Sequence, residues 1–405
     1  MTTRHRDLRS GTAVWTASRM PAFPTEKATR DFKTDVLVIG AGISGAMLAD
    51  ALSEAGLKIC VVDRRGAVRG STAASTALLQ YELDTPLLQM RKKIGEPKAH
   101  RIWRRSKLAV CALQERTLRL GIRAELAPRD TLYLAGNVLG ADGLQKEGEA
   151  RRRLGFECQW LSAKEVREQY GIERRAALRS FGNAVAEPRK LAAGFLRAAI
   201  ARGAKLYAPL EVLDVQPQAR GVKALLSNGL TITARHLIFA TGYELPKQIP
   251  AKSHKIISTW AMATKPQPRH LWPTAAMLWE ASDPYLYLRS TSDGRVICGG
   301  ADEDFLDEQR RDAKLPAKTK LLERKLAALF PALDARASFA WTGCFGASPL
   351  GTPTIGAVPH LPHCYAVLGY GGNGITFSMM AAQILTGLIT GEGDADAELF
   401  GFGQP

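Results

Sequence analysis

Apolar and polar residues follow two rhythms along this chain. Near its start, Asp35-Val-Leu-Val-Ile39 is apolar at four successive positions, the pattern of a strand buried on both faces. A helical rhythm follows at Ile43, Met47, Leu48, Ala51 and Leu52, and a second apolar run, Lys58-Ile-Cys-Val-Val62, ends at Asp63. His236-Leu-Ile-Phe-Ala-Thr241 and Cys364-Tyr-Ala-Val-Leu368 repeat the buried-strand pattern downstream. Pro86 to Leu120 reads as basic helix, Gly140 to Arg153 as polar helix and Leu191 to Arg202 as amphipathic helix. Ser162 with Glu165 three residues later is a capping box. Between 246 and 331 the rhythm changes: Ile256 to Thr264, Tyr285 to Arg289 and Val296 to Gly300 are strand-like, the last two joined at Asp293-Gly294.

These patterns predict an α/β fold: a doubly wound, Rossmann-like dinucleotide domain and a second, α+β domain on an antiparallel sheet. The first is assembled from 34–85, 160–245 and 336–395, the second from 86–159 and 246–335, with 1–33 an arm and 396–405 a tail. The arm contains Arg4, Arg6, Arg9, Arg19, Pro21 and Pro24 and reads as flexible or surface-hugging.

Candidate chemistry sits where strands run into glycines. In Gly40-Ala-Gly42-Ile-Ser-Gly45 the first glycine permits a tight turn, the second lets backbone approach a diphosphate, and the third lets helix meet strand. Free N–H groups at the helix start face the phosphates, and Asp63 can accept from ribose hydroxyls. Gly70-Ser-Thr-Ala-Ala-Ser-Thr-Ala77 suits close contact with a flat or phosphorylated ligand. Gly242 ends another strand at the same sheet edge, and Gly369-Tyr-Gly-Gly-Asn-Gly374 repeats the strand–glycine–helix arrangement.

Charge adds one constraint. With 55 Lys and Arg against 39 Asp and Glu, the net charge of +16 suits anionic partners: a diphosphate cofactor, an acidic substrate, RNA or a lipid surface. The arginines are dispersed, without a dense tract or interleaved aromatics, which disfavours a nucleic-acid groove and leaves peripheral membrane contact open. Cysteines 60, 111, 158, 298, 344 and 364 show no metal spacing and read as reduced packing residues of a cytoplasmic protein. Tyr365 to Thr390 carries no charge, yet its glycines leave too short a helix to span a membrane.

Taken in order, the fingerprint at 40–45, the Gly70-Ser-Thr segment, Glu187-Pro188, Ala240-Thr-Gly242 and Gly369 to Gly374 resemble the D-amino-acid oxidase superfamily of flavoproteins, over Thr34 to Gly391. That superfamily includes glycine and sarcosine oxidases, D-amino-acid dehydrogenases and gamma-glutamylputrescine oxidases. The resemblance implies FAD held at Gly40, Gly42, Ile43, Ser44 and Gly45, with Asp63 at the ribose and Arg64, Arg65 and Val212 around the adenine. Ser71, Thr72, Ser75 and Thr76 would lead to the flavin ring, with Thr241 and Gly242 alongside. Gly371, Gly372, Asn373, Gly374, Ile375 and Thr376 would meet its pyrimidine edge.

It further implies oxidation of an amine or amino-acid C–N bond by hydride transfer to flavin N5, giving an imine that hydrolyses, with oxygen, a quinone or another protein taking the electrons. Alternatives are a flavoenzyme acting on a glycine-like group of tRNA and a non-catalytic FAD-binding subunit. The arginine that meets a substrate carboxylate in amino-acid-oxidising members aligns on Phe345, and a nearby acid on Leu350. Arg289 is the candidate replacement, with a salt bridge as its alternative role; Tyr287 and Tyr370 are divided between pocket and core. The position where some relatives attach flavin to cysteine aligns on Gly343, one residue before Cys344, so non-covalent FAD is expected.

Overall fold

The computed structural model describes residues 5–18, 20, 22–251 and 254–404, with Phe345 described by its backbone alone. Arg4, Arg19 and Pro21 of the arm and the Phe345 side chain lie outside the described residues.

The strand Phe32–Ile39 is central to a sheet ordered Thr354–Ala357, Cys364–Leu368, Thr231–Phe239, Phe32–Ile39, Ile59–Val62, Lys205–Tyr207. All but Thr354–Ala357 run parallel, so each joins the next through a crossover. Both faces are buried, as the unbroken apolar runs require. Val36, Val38, Val61 and Ile238 share a core with helices Ile43–Glu54, Pro188–Ala201 and Gly374–Thr390. Leu37, Cys60, Val62, Leu237 and Phe239 share another with Val212, Val222, Ala224 and Leu226 of the hairpin Val212–Gln218, Gly221–Leu226.

The second sheet runs Ala337–Ala347, Lys255–Thr264, Val296–Glu303, Leu286–Ser290, Met277–Glu280, Ala127–Leu134, Ala176–Val185, Leu78–Leu79. It is antiparallel except where Met277–Glu280 meets Ala127–Leu134. Cys158–Ser162 and Ala176–Val185, together with Ala337–Ala347, hydrogen-bond here, although the sequence reading drew 160–185 and 336–347 into the first domain. Strand-like runs announce a strand but not its partner, and these partners lie across the chain.

The arm is anchored. Thr12 N donates to Ala340 O at 2.9 Å and Thr342 N to Ser10 O at 3.0 Å, extending the edge of the second sheet. Trp15 is buried and its Nε1 donates to Ser75 O at 2.7 Å. Leu8 of the arm lines the cavity between the sheets.

Candidate active site

The first glycine turn is constrained by its own backbone. Gly40 has φ of +112°, and a Cβ there would lie 2.4 Å from Ala240 O; one on Gly45 would lie 1.8 Å from Gly40 O. Gly42 has ordinary extended backbone, and a Cβ there would meet only Thr72 Oγ1, at 3.2 Å. Helix Ile43–Glu54 therefore begins at the cavity, without a side-chain cap, and Thr72 Oγ1 accepts from Ile43 N at 3.0 Å. Such an end offers N–H groups and positive potential to a phosphate.

Asp63 closes this end. Its carboxylate accepts from Ala41 N and Arg65 N at 2.8 Å and from Gly66 N at 2.9 Å. Burial raises its pKa against the pull of those three donors. Arg64 and Arg65 line the cavity, both held by the buried Glu244, with Arg65 Nη1 and Nη2 each 2.6 Å from its carboxylate. Arg6 N also donates to Glu244, at 2.7 Å, so the arm locks onto this corner.

The second glycine turn faces the same space. Ser44 and Ser378 bring the two helices together, and helix Gly374–Thr390 likewise begins without a side-chain cap. Gly371 to Ile375 line the cavity, as do Ser71, Thr72, Ser75, Thr76, Val212, Thr241 and Gly242. Two expected contacts do not reach it. Gly45 packs on the Gly40 backbone, and Thr376 is buried with its hydroxyl donated to Gln80 O at 3.0 Å.

Beyond the second turn the wall is aromatic: Trp279, Tyr285, Tyr287 and Tyr370, with Tyr243 and Thr259. The Tyr285 and Tyr287 rings are 5.5 Å apart, and Tyr133 stacks on Trp279 at 3.8 Å. Burial raises the Tyr287 and Tyr285 hydroxyls well out of the neutral range and Tyr370 to about 12, keeping all three protonated. Asp84 also lines this end, accepting from Gly372 N at 3.3 Å.

Arg289 is not there. Its Nη1 donates to Ala186 O at 2.8 Å and Ala77 O at 2.9 Å, its Nε to Ser290 O at 3.2 Å, and its guanidinium lies 5.4 Å from the Trp15 ring centre. Desolvation lowers its pKa to about 9. It is a buried clamp between segments, because backbone carbonyls cover its face at that end of the strand. Asp84, Glu244, Trp279 and Tyr285 were missed in the sequence. Tyr285 carried a usable signal, sharing the period-two face of Tyr287.

The cavity is elongated, running from the Gly40–Gly42 turn to Trp279 and Tyr285. Two uncapped helix starts, a turn whose glycines exclude side chains and an acid beside the first strand fit the extended dinucleotide FAD. Among the described residues no group of His, Cys, Asp or Glu could hold a metal.

The family model described as FAD dependent oxidoreductase, DAO, matches residues 35–388. The chain belongs to this family and is an FAD-dependent oxidoreductase. It is 23% identical to the Haemophilus influenzae protein named "Probable oxidoreductase OrdL", over 93% of this chain and 87% of that one. It is 24% identical to gamma-glutamylputrescine oxidoreductase of Escherichia coli, over 96% of this chain and 90% of that one. The crystal structure of glycine oxidase from Geobacillus kaustophilus shares the fold, with TM-score 0.72 and 20% identity over 90% of this chain and 96% of that one. Among the described residues no helix is long and apolar enough to cross a membrane.

Proposed function

We propose that the protein oxidises the C–N bond of a small amine or amino acid, the first sheet forming the cofactor domain and the second the substrate wall. One observation carries this reading: a single cavity runs from the Gly40–Gly45 turn, past the 371–375 turn, to the wall of Trp279, Tyr285 and Tyr287. The names of two of its relatives, gamma-glutamylputrescine oxidoreductase of Escherichia coli and glycine oxidase of Bacillus licheniformis, support amine or amino-acid chemistry.

When bound, FAD would supply a two-electron acceptor for hydride from the carbon beside the nitrogen, and the imine so formed would be hydrolysed by water. The chain's own residues do the rest. The first turn would hold the diphosphate, and Asp63, fixed by three amides, would face the ribose. The start of Gly374–Thr390 favours negative charge at the far end of the cofactor. The aromatic wall limits water, and its neutral hydroxyls hold a substrate without contributing charge. Mixing the flavin-loaded protein anaerobically with a panel of amines and amino acids tests this: bleaching by a member of the panel is expected, and bleaching by none would contradict it.

A further inference from the structure

The substrate end of the cavity holds a carboxylate with no cationic partner. Among the described residues lining the cavity the cations are Arg64 and Arg65, both engaged by Glu244 at the dinucleotide end. Arg289 faces backbone carbonyls elsewhere. Among the described residues, none at the aromatic end offers the forked donor that a substrate carboxylate would take. Asp84 has the opposite character. Leu83 and Thr85 beside it are buried, while Asp84 opens to the cavity. It forms no ion pair among the described residues, and its hydrogen bond to Gly372 N, at 3.3 Å, uses one of about four acceptor sites on a carboxylate. A Cβ on Gly372 would lie 3.3 Å from Tyr285 Oη and 3.1 Å from Asp84 Oδ1, so the carboxylate and the Tyr285 hydroxyl converge on that glycine.

We infer that Asp84, walled by Tyr285, Tyr287 and Trp279, is the anchor for a second, retained positive charge, so that the site selects amines with a distal ammonium over amino acids. This rests on the function proposed above, which places the reacting nitrogen in the same cavity. A carboxylate beside aromatic faces is the pairing that holds an alkylammonium: a charge-assisted hydrogen bond on one side and ring quadrupoles on the others. The surroundings reinforce it. Asp302, close to Tyr285 and Tyr287 and bonded to Thr259, has one carboxylate oxygen without a partner. Burial first, with Asp84 adding, raises Asp302 to about 7, and burial raises Asp84 as well, so both acids are stabilised as carboxylates by a cation that pairs with them. A zwitterionic amino acid would bring its carboxylate against Asp84, whereas a diamine brings a cation to it.

The test uses flavin-loaded protein under anaerobic conditions and three four-carbon probes: 1,4-diaminobutane, butylamine and 4-aminobutanoate. Binding is read from perturbation of the flavin spectrum, reduction from its bleaching. Wild type should bind diaminobutane about tenfold or more tighter than either other probe, and Asp84→Asn should lower the diaminobutane-to-butylamine affinity ratio by about 10- to 100-fold. Asparagine still accepts from Gly372 N, so a role confined to holding that loop would leave the ratio unchanged and overturn the inference. Equal wild-type affinity for all three probes, or none for diaminobutane, would also overturn it, without needing a variant. Reduction without charge preference would refute this inference and leave amine oxidation standing. Asp84-dependent binding without reduction by any amine would do the reverse.

Discussion

Ser44 Oγ lies 2.8 Å from Ser378 Oγ, joining the opening turns of two helices 334 residues apart in sequence. Both helices start at the same cavity, and both turns before them are rich in glycine. The contact brings the two anion-favouring ends to one cavity.

The first turn separates two glycine substitutions. A Cβ at position 42 meets only a side-chain oxygen, so Gly42→Val should keep its backbone while its side chain fills the space proposed for the diphosphate. Flavin content per chain should fall severalfold with the far-UV circular dichroism kept. Gly45→Val meets the Gly40 carbonyl and should instead reduce soluble, folded protein. Normal flavin content in folded Gly42→Val would remove this turn from the cofactor site.

Cys344 lines the cavity, but burial raises its thiol to about 12, and an uncharged thiol is a poor nucleophile. FAD should leave with the supernatant after acid precipitation. Yellow colour retained in the pellet would establish a covalent link.

Arg289→Ala should cost stability and not charge selectivity. It strips donors from Ala77 O, Ala186 O and Ser290 O in a buried setting, a loss of roughly 2–4 kcal/mol in denaturant unfolding. The affinity ratio of 4-aminobutanoate to butylamine should stay within about twofold, too small a change for the loss of a buried charge pair. A selective loss of acidic substrates, with stability intact, would restore Arg289 as a carboxylate anchor.

Why was Arg289 misplaced while the glycine turns were legible? Turn chemistry is local: residue type and spacing determine where Gly40, Gly42 and Gly45 stand, and Asp63 follows at the end of the next strand. Strand periodicity gives a face for Arg289 but not what covers it, and Ala77 and Ala186 arrive from distant segments. Glu244 and Trp279 depend likewise on tertiary pairing, the first with Arg64 and Arg65, the second with Tyr133. Asp84 belongs to no motif in the sequence, and its placement depends on the 371–374 loop.

Asp302 should make stability fall as pH rises. Its folded pKa, about 7, exceeds the ordinary 3.8, so the folded state holds the proton more tightly. The cost begins above the unfolded value, grows to about pH 7 and then levels off. Lys318 opposes the shift, and Asp84 and Asp283 add to it. Asp302→Asn should be more stable than wild type by on the order of 2–4 kcal/mol at pH 8, with the advantage shrinking steadily towards pH 4. An advantage independent of pH would exclude titration of Asp302 as its source.

The central claim is C–N oxidation at this cavity, and product stoichiometry in a single anaerobic turnover tests it most directly. With the amine that bleaches the flavin, the account predicts one carbonyl product and one nitrogen product, ammonia or the released amine, for each flavin reduced. Flavin reduction without carbon–nitrogen cleavage would contradict it.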